Sequence, residues 1–368
     1  MKPVPSTRTK LYRAVVLLGV TASCAGPARS ADGGPTGSAT GSALASSTSS
    51  AYDVHEWGLV RADQGDTVRI GAVAPPLPAE IFIMDKPVLY FLPEAAMRLD
   101  HVTIDAMGGA VLETWPLAEP GPSDGTMTWS NVSIDPKSAC PFSPLPHKDE
   151  APCSNLPKEQ QCESVGLAAV RTVDASCVRV GGKTDTFLFY RTETRGLTPP
   201  LRFTIQSDGS VVVTNDGDAA IPGLLLRIDM AEDLTRTLSV TPPAPHAKLV
   251  VGRDFPDGDV AAPIADDRGV PRPRVVTGPA RKDLRSTMLG LGLSDTEVDA
   301  FLKSWDETLF GSPSNGGFRP VTTGTSFLYF LPEATVERAA KVTFDPPPRA
   351  FRRAFALWTH MPTSGESR

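Results

Sequence analysis

The chain has 368 residues, of which 40% are hydrophobic, and a net charge of −6. That is enough apolar material for a large core in one or two domains. An acidic chain without a basic cluster is a poor partner for nucleic acid or an anionic lipid surface. The 36 prolines and 31 glycines predict many turns and few long helices.

Residues 1–23 have the pattern of a signal peptide. Four basic residues come first, an apolar run follows at 14–20, and small residues lead to the end of the segment. The run is shorter than the roughly 20 apolar residues that span a bilayer. Without this segment the chain carries 32 Lys and Arg against 42 Asp and Glu, a net charge of −10. We therefore expect an exported protein whose mature form has no transmembrane helix.

Two processing sites remain open at the end of this segment. Residues 21–24 resemble a lipobox ending in Cys24, although Thr21 stands where leucine is usual; the other possibility is cleavage after Ser30. The remaining four cysteines can pair, so the odd Cys24 is best explained as a lipid anchor. The Ser/Thr/Gly-rich residues 24–51 predict a flexible tether. The expected location is the cell envelope, as an outer-membrane lipoprotein, or otherwise secreted or periplasmic, with the membrane contacted through an N-terminal lipid.

The first part of the folded region, 52–240, predicts mainly strands. Tyr52–Arg61 and the apolar run Lys86–Pro93 are the first two, the second buried on both faces. His101–Ala106 and Ala110–Pro116 flank Gly108-Gly109, a hairpin signal. Thr126–Asp135 alternates in part and follows as a further strand.

Four cysteines lie in a Pro-rich loop, 136–180. They are not spaced as close C-x-x-C pairs, so disulfides are favoured over a metal site. Three pairings are possible. A nested arrangement is favoured because it would close the loop at its base and staple its tip: Cys140 with Cys177, and Cys153 with Cys162.

Leu201–Thr214 predicts a hairpin that turns at Asp208-Gly209. Ile221–Met230 follows closely enough to predict a three-stranded antiparallel meander. Residues 241–280 are rich in Pro and Asp and predict a long surface excursion. Carboxylates there, Asp254, Asp257 and Asp259, are a weak calcium candidate without the order of a known calcium loop.

The pattern then changes to a helical one. Asp283–Leu291 and Asp295–Phe310 predict a helical hairpin, and Ser294 with Glu297 forms a capping box for the second helix. Strands return at 326–332 and 351–360. The predicted fold class is mainly β, with antiparallel sandwich-like sheets and one helical hairpin near the C-terminal third, where 281–368 packs on the first region.

One heptapeptide, Leu-Tyr-Phe-Leu-Pro-Glu-Ala, occurs at 89–95 and again at 328–334. It could mark two equivalent loops whose Glu94 and Glu333 flank one binding site. It could equally mark two homologous strands packed side by side in the core. The second interpretation is favoured because the shared residues are mostly apolar.

His55, Glu56 and Trp57 are the first residues to consider for chemistry. On a strand, His55 and Trp57 share one face and Glu56 takes the other, which argues against one metal bound by both His55 and Glu56. His55 could be a base or binding residue beside Trp57 in a cleft. The favoured alternative is structural, with Trp57 in the core, His55 partly buried and Glu56 solvated.

The segment Val54-His55-Glu56-Trp57-Gly58 resembles a group of uncharacterised exported bacterial proteins, putative lipoproteins that open with the same five residues. Further similarity lies at 86–91, 187–191, 304–305 and 327–332. The sequence departs from the group at 59–61. The resemblance implies an exported location and this architecture, and it implies no activity.

Two functions follow as hypotheses. The chain lacks G-x-S-x-G, G-x-G-x-x-G, G-x-x-x-x-G-K and H-E-x-x-H, which favours a non-catalytic envelope lipoprotein that binds an unknown ligand or protein partner and needs no cofactor. The alternative is an exported hydrolase that uses His55 with Glu56 or a loop carboxylate.

Overall fold

A computed structural model of the chain describes residues 51–62, 81–136, 139–147, 149–150, 163–230, 234–256, 274–275, 278–310 and 324–362. All of these residues belong to one compact unit. Several sequence predictions lie outside the described residues: the signal peptide, most of the tether, Cys24, Cys153, Cys162, Asp257 and Asp259.

The described chain is mainly β, with several antiparallel sheets and few helices, as the sequence predicts. Its strands, in chain order, are β1 (Tyr52–Ala62), β2 (Phe82–Pro93), β3 (Met97–Ala106), β4 (Ala110–Trp115), β5 (Glu119–Pro120), β6 (Thr126–Asp135), β7 (Cys177–Val180), β8 (Lys183–Asp185), β9 (Leu188–Thr194), β10 (Leu201–Ile205), β11 (Val211–Asn215), β12 (Leu225–Met230), β13 (Leu234–Val240), β14 (Lys248–Val251), β15 (Arg274–Val275), β16 (Gly324–Phe330), β17 (Ala340–Asp345) and β18 (Ala350–Pro362).

The largest sheet has nine strands in the order β15-β13-β12-β16-β18-β1-β2-β9-β4. Strands from the two ends of the described chain, β1 and β18, are neighbours at its centre. They run parallel, as do β13 and β15, while the other pairs are antiparallel. The sheet is therefore mixed, and the residues after 281 complete the same sheet that the residues before 240 begin.

Two smaller sheets cover one face of the nine-stranded sheet. One has three strands, β10-β11-β14, and the other has six, β17-β3-β6-β7-β8 with β5 on β6. Their inward side chains and those of the large sheet form the first hydrophobic core, which we call the sheet-side core. Within it the rings of Phe203 and Phe327 stack with centroids 4.6 Å apart. Face-to-face burial of this kind is what holds a β-sandwich together.

Helices cover the opposite face of the large sheet. They are a 3₁₀ helix (Glu163–Thr172), α1 (Gly278–Gly290) and α2 (Asp295–Phe310). The short helix α3 (Glu333–Ala339) follows β16 and instead contributes Val336 and Ala339 to the sheet-side core. The pair α1–α2 confirms the predicted hairpin, and α2 has the predicted bounds. The second hydrophobic core, the helix-side core, lies between these helices and the sheet. In the described residues, no helix has the length and apolar character needed to cross a bilayer.

Two sequence predictions of local strand pairing are wrong for one physical reason. Gly108-Gly109 does not close a hairpin, because β3 belongs to the six-stranded sheet and β4 to the nine-stranded one. The chain turns sharply there, and a Cβ on Gly109 would lie 1.8 Å from the Glu193 carbonyl oxygen. Likewise β10 and β11 form the expected hairpin, but β12 joins the large sheet and β14 becomes the second neighbour of β11. In a layered fold, consecutive strands can satisfy their hydrogen bonds in different sheets.

Candidate functional site

The motif at 54–58 lies in the middle of the large sheet, where β1 pairs with β2 on one side and β18 on the other. His55 and Trp57 face the helices, and Glu56 faces the sheet-side core, as alternation along a strand requires. Gly58 ends the motif where a Cβ would lie 2.7 Å from the Phe355 ring and 3.2 Å from the Pro87 backbone. His55 and Glu56 therefore do not converge on one reacting atom.

His55 connects β1 to the start of α2. Its Nδ1 lies 3.0 Å from Oε2 and 3.2 Å from Oε1 of Glu297, and the imidazole is only 8% exposed. The same carboxylate accepts the Ser294 backbone N–H at 2.7 Å, while the Ser294 hydroxyl accepts the Glu297 N–H at 3.3 Å. The predicted capping box is thus formed, and its carboxylate also holds the imidazole.

Trp57 is fully buried in the helix-side core. Its ring meets Phe301 of α2 edge-on at 5.6 Å and Tyr90 of β2 at 6.3 Å. Such aromatic contacts anchor a helix on a sheet. The structure therefore gives Trp57, which the sequence suggested as a binding residue, a place in the core and away from solvent.

The expectation that Glu56 is solvated is wrong, because Glu56 is a fully buried carboxylate with two direct partners. It accepts a hydrogen bond from the Tyr190 hydroxyl at 2.6 Å and one from Nε of Arg353, the register partner of Glu56 on β18. Burial raises the pKa of Glu56, against the opposing effects of Arg353 and Tyr190. Nη1 of Arg353 also donates to Glu337 and to the Ala340 carbonyl, both at 2.9 Å. One guanidinium therefore serves two carboxylates in this cluster.

The register of β1 and β18 places two consecutive arginines beside the motif. Arg352 pairs with His55 on the helix face and Arg353 pairs with Glu56 on the other face. Arg352 extends over the α1–α2 turn, where a Cβ on Gly292 would lie 2.6 Å from its Nη1. The motif and the two arginines thus form one structural unit at this end of the sheet.

A cavity of about 460 Å³ lies at the same end of the sheet, and we call it the arginine cleft. Its lining comes from four separate parts of the chain: Pro222 before β12, Leu291 in the α1–α2 turn, Leu331 and Glu333 at the junction of β16 and α3, and residues 350–353 at the start of β18. The volume lies within the range of roughly 300–1,000 Å³ that small-molecule sites occupy. Charged and apolar groups both line it.

The repeated heptapeptide leads to this end of the sheet twice. β2 and β16 run in the same direction because each is antiparallel to one member of the parallel pair β1–β18. Glu333 lines the arginine cleft, whereas Glu94 forms a surface ion pair with Arg349 at 2.5 Å. Arg349 in turn holds Asp53 through two contacts of 2.9 and 3.0 Å.

The two heptapeptide copies face opposite ways. Leu89 and Phe91 enter the sheet-side core, whereas their counterparts Leu328 and Phe330 enter the helix-side core. The strands are separated by β1 and β18 and do not pack side by side as the favoured interpretation expected. The shared sequence suits a strand buried on both faces, in either orientation.

Of the predicted disulfides, Cys140 with Cys177 is present and joins the Pro-rich loop to β7. This is the outer bridge of the nested arrangement; Cys153 and Cys162 lie outside the described residues. Asp254, the one calcium candidate that the structure describes, is exposed. Across the described ranges, no group of three His, Cys, Asp or Glu side chains is arranged to hold a metal ion.

Sequence reasoning missed a buried charge network on the helix face. Asp85 is fully buried in β2 and binds Nε of Arg61 and, at 3.1 Å, Nε of Arg191; Arg191 also reaches Glu113 at 3.3 Å. The available signal was an acidic residue within an otherwise apolar strand. Such a residue needs a buried counter-charge.

A buried serine–histidine pair was missed as well. The Ser326 hydroxyl lies 2.8 Å from Nδ1 of His360 across β16 and β18. Ser326 is fully buried, so a substrate does not reach it in this arrangement. The two residues are 34 positions apart, and only the strand register brings them together.

The fold and the cleft define a layered, mainly β protein with a mixed polar and apolar cavity at one end of its central sheet. Compared with known proteins, no family model matches the chain, and no curated protein matches it either. The similarity to exported bacterial proteins that share the Val-His-Glu-Trp-Gly segment therefore stays a prediction.

Proposed function

We propose that this chain is a non-catalytic lipoprotein of the cell envelope that binds a small ligand in the arginine cleft. The observation that carries the proposal is the convergence of four distant chain segments on one cavity with charged and apolar walls. The signal-like N-terminus and Cys24 support export and anchoring.

The rival hypothesis, an exported hydrolase, has weaker support. Glu56 is committed to Arg353 and Tyr190 on the face opposite His55. His55 has a carboxylate partner in Glu297, which could orient a general base. In the part of the chain that the structure describes, however, no hydroxyl or thiol is hydrogen bonded to His55. The pair explains how α2 is attached to the sheet.

A thermal-shift screen tests whether a ligand binds in the arginine cleft. The purified mature protein and its Arg352→Gln variant are tested against pools of amino acids, short peptides, sugars, nucleotides and fatty acids. Arg202→Gln is the matched control, since Arg202 is exposed and pairs with Asp216 in the three-stranded sheet. We expect a pool that raises the Tm of the wild type and of Arg202→Gln but not of Arg352→Gln.

The same protein is then incubated with ester, peptide and glycoside substrates. Turnover that His55→Ala abolishes without loss of stability would overturn the proposal in favour of the hydrolase. For the anchor, metabolic labelling with palmitate is expected to mark the wild type and not Cys24→Ser. Label retained by Cys24→Ser would exclude attachment at that cysteine.

A further inference from the structure

The arginine cleft contains two fixed charges of opposite sign that do not neutralise each other. Arg352 and Glu333 both line it and both are exposed. Neither forms an ion pair with any residue that the structure describes, including one another. Opposite charges that share a cavity but remain apart leave room for a ligand group between them.

Arg353 also lines the cleft, but its charge is already balanced. Its Nε and Nη1 bind Glu56 and Glu337. Nη2, in contrast, is buried and has no hydrogen-bond partner, and the side chain is 0% exposed. A buried N–H without an acceptor costs free energy. Because this side chain is fully buried on the face of β18 opposite Arg352, Nη2 is not accessible to a ligand in the cleft and takes no part in the binding argument.

The remaining walls are apolar. Leu291, Leu331, Phe351 and Pro222 surround the charged groups. A ligand that fits this surface carries a positive group, a negative group and an apolar body beside them. A fatty acid lacks the positive end, a sugar lacks both charges, and a nucleotide brings excess negative charge to Glu333.

We infer that the ligand is a small zwitterion, an α-amino acid or a short peptide with free termini and apolar side chains. Its carboxylate meets Arg352, and its ammonium meets Glu333. The inference rests on the proposed function, since it names the ligand class for the same cleft. The binding step is non-covalent and needs no co-reactant.

Calorimetry with leucine and with leucyl-leucine tests this assignment and separates the free amino acid from the peptide. Each ligand is compared with its N-acetyl and C-amide derivatives. Removing either terminal charge is expected to weaken binding to the wild type roughly tenfold, as the loss of one charge-assisted hydrogen bond does. N-acetylation should cost little in Glu333→Gln, and amidation should cost little in Arg352→Gln.

Two variants serve as matched controls. Glu94→Gln changes the same position of the repeated heptapeptide outside the cleft, and Arg202→Gln removes an exposed arginine elsewhere. Both should bind as the wild type does. Far-ultraviolet circular dichroism checks that all four variants are folded, which their exposed positions favour.

The failures of the two proposals differ. If a sugar, nucleotide or fatty acid binds in an Arg352-dependent manner and neither zwitterion binds, the assignment is overturned and the binding function stands. If leucyl-leucine binds equally well with both ends capped, the assignment is overturned as well. If no pool or probe binds, both proposals fall.

Discussion

At Glu56 the chain places a carboxylate among aromatic and aliphatic side chains, with Arg353 as its counter-charge. Removing one partner of a buried ion pair leaves the other charge without compensation, which is more costly than never having buried the pair. Glu56, a catalytic candidate in the sequence, is thus explained by a structural role, the buried ion pair that links β1 to β18.

Glu56→Gln should accordingly lower the free energy of unfolding by about 3 kcal/mol. Urea denaturation followed by tryptophan fluorescence measures the change. Glu94→Gln, which alters only a surface ion pair with Arg349, should have little effect. Equal stability of Glu56→Gln and the wild type would contradict a structural role for Glu56.

The ion pair between Asp53 and Arg349 should make a pH-dependent contribution to stability. The hydrogen bonds from Arg349 hold the pKa of Asp53 below its ordinary value of 3.8. A carboxyl whose pKa is lower in the folded state stabilises the fold at any pH above its pKa in the unfolded state. That stabilisation is lost as the pH falls through the pKa of the folded state. The stabilisation should thus be complete at neutral pH and disappear below pH 3.8.

Comparing the wild type with Asp53→Asn tests this expectation. The difference between their urea midpoints should be constant from pH 7 to pH 5 and should shrink steadily toward pH 2. A difference that stays the same at all pH values would mean that Arg349 does not act through the Asp53 charge.

Predictions for single residues were correct where local periodicity determines the face of a strand on which a side chain lies. Alternation placed His55 and Trp57 on one face and Glu56 on the other, and the structure agrees. The partners could not be predicted, because Glu297 and Arg353 lie 242 and 297 positions away in the chain. Only the packing of α2 and the register of β18 bring them to the motif.

At the scale of the element, α2 is the segment that the sequence described best. The capping box and the apolar stripe gave both its bounds and its buried face. Attachment to the sheet depends on Trp57 against Phe301 and on His55 against Glu297. Glu297 thus has two tasks, one local and one long-range, and two substitutions can separate them.

Glutamine can replace glutamate in a capping box. Glu297→Gln therefore keeps the hydrogen bond that caps α2 and removes the negative charge near His55. Glu297→Ala removes both. We expect a loss of about 1 kcal/mol for Glu297→Gln and roughly 2 kcal/mol for Glu297→Ala, measured by urea unfolding. In a His55→Ala background the effect of Glu297→Gln should vanish. If both substitutions cost the same in the wild type, the contact with His55 contributes nothing.

The repeated heptapeptide marks the limit of element-level prediction. Its apolar residues correctly indicated buried strands, but a strand buried on both faces has no outward-facing side to set its orientation. The copies could therefore face opposite cores, and they do. Their terminal glutamates consequently differ in surroundings, one paired on the surface and one in the cleft.

At the scale of the whole molecule, the sequence predicted the class and missed the topology. Strand and helix content follow from local patterns, whereas the parallel pairing of β1 with β18 joins segments almost 300 residues apart. Tight turns also led to wrong predictions of strand pairing. The strands β3 and β4 belong to different sheets, and so do β11 and β12. The arginine cleft could not be predicted, since it exists only where four remote segments meet.

The disulfide Cys140–Cys177 acts on the whole molecule by tying the Pro-rich loop to the six-stranded sheet. It closes a loop of 37 residues, for which the chain-entropy relation gives roughly 4 kcal/mol of stabilisation. Structural disulfides form and persist mainly in oxidising compartments, which the proposed export would supply. The prediction is that reduction lowers the urea midpoint of the oxidised protein substantially.

To isolate this bridge, Cys153 and Cys162 are both replaced by serine, and unfolding is measured with and without dithiothreitol. Reduction should cost roughly 4 kcal/mol in this background. Adding Cys140→Ser should lower the stability to that of the reduced protein, and dithiothreitol should then have no further effect on unfolding. Cys140 is chosen because Cys177 is buried, so substitution there would also disturb packing. If the reductant has the same effect with and without Cys140, opening the Cys140–Cys177 bridge is not what lowers the stability, and the predicted stabilisation by this pair is contradicted.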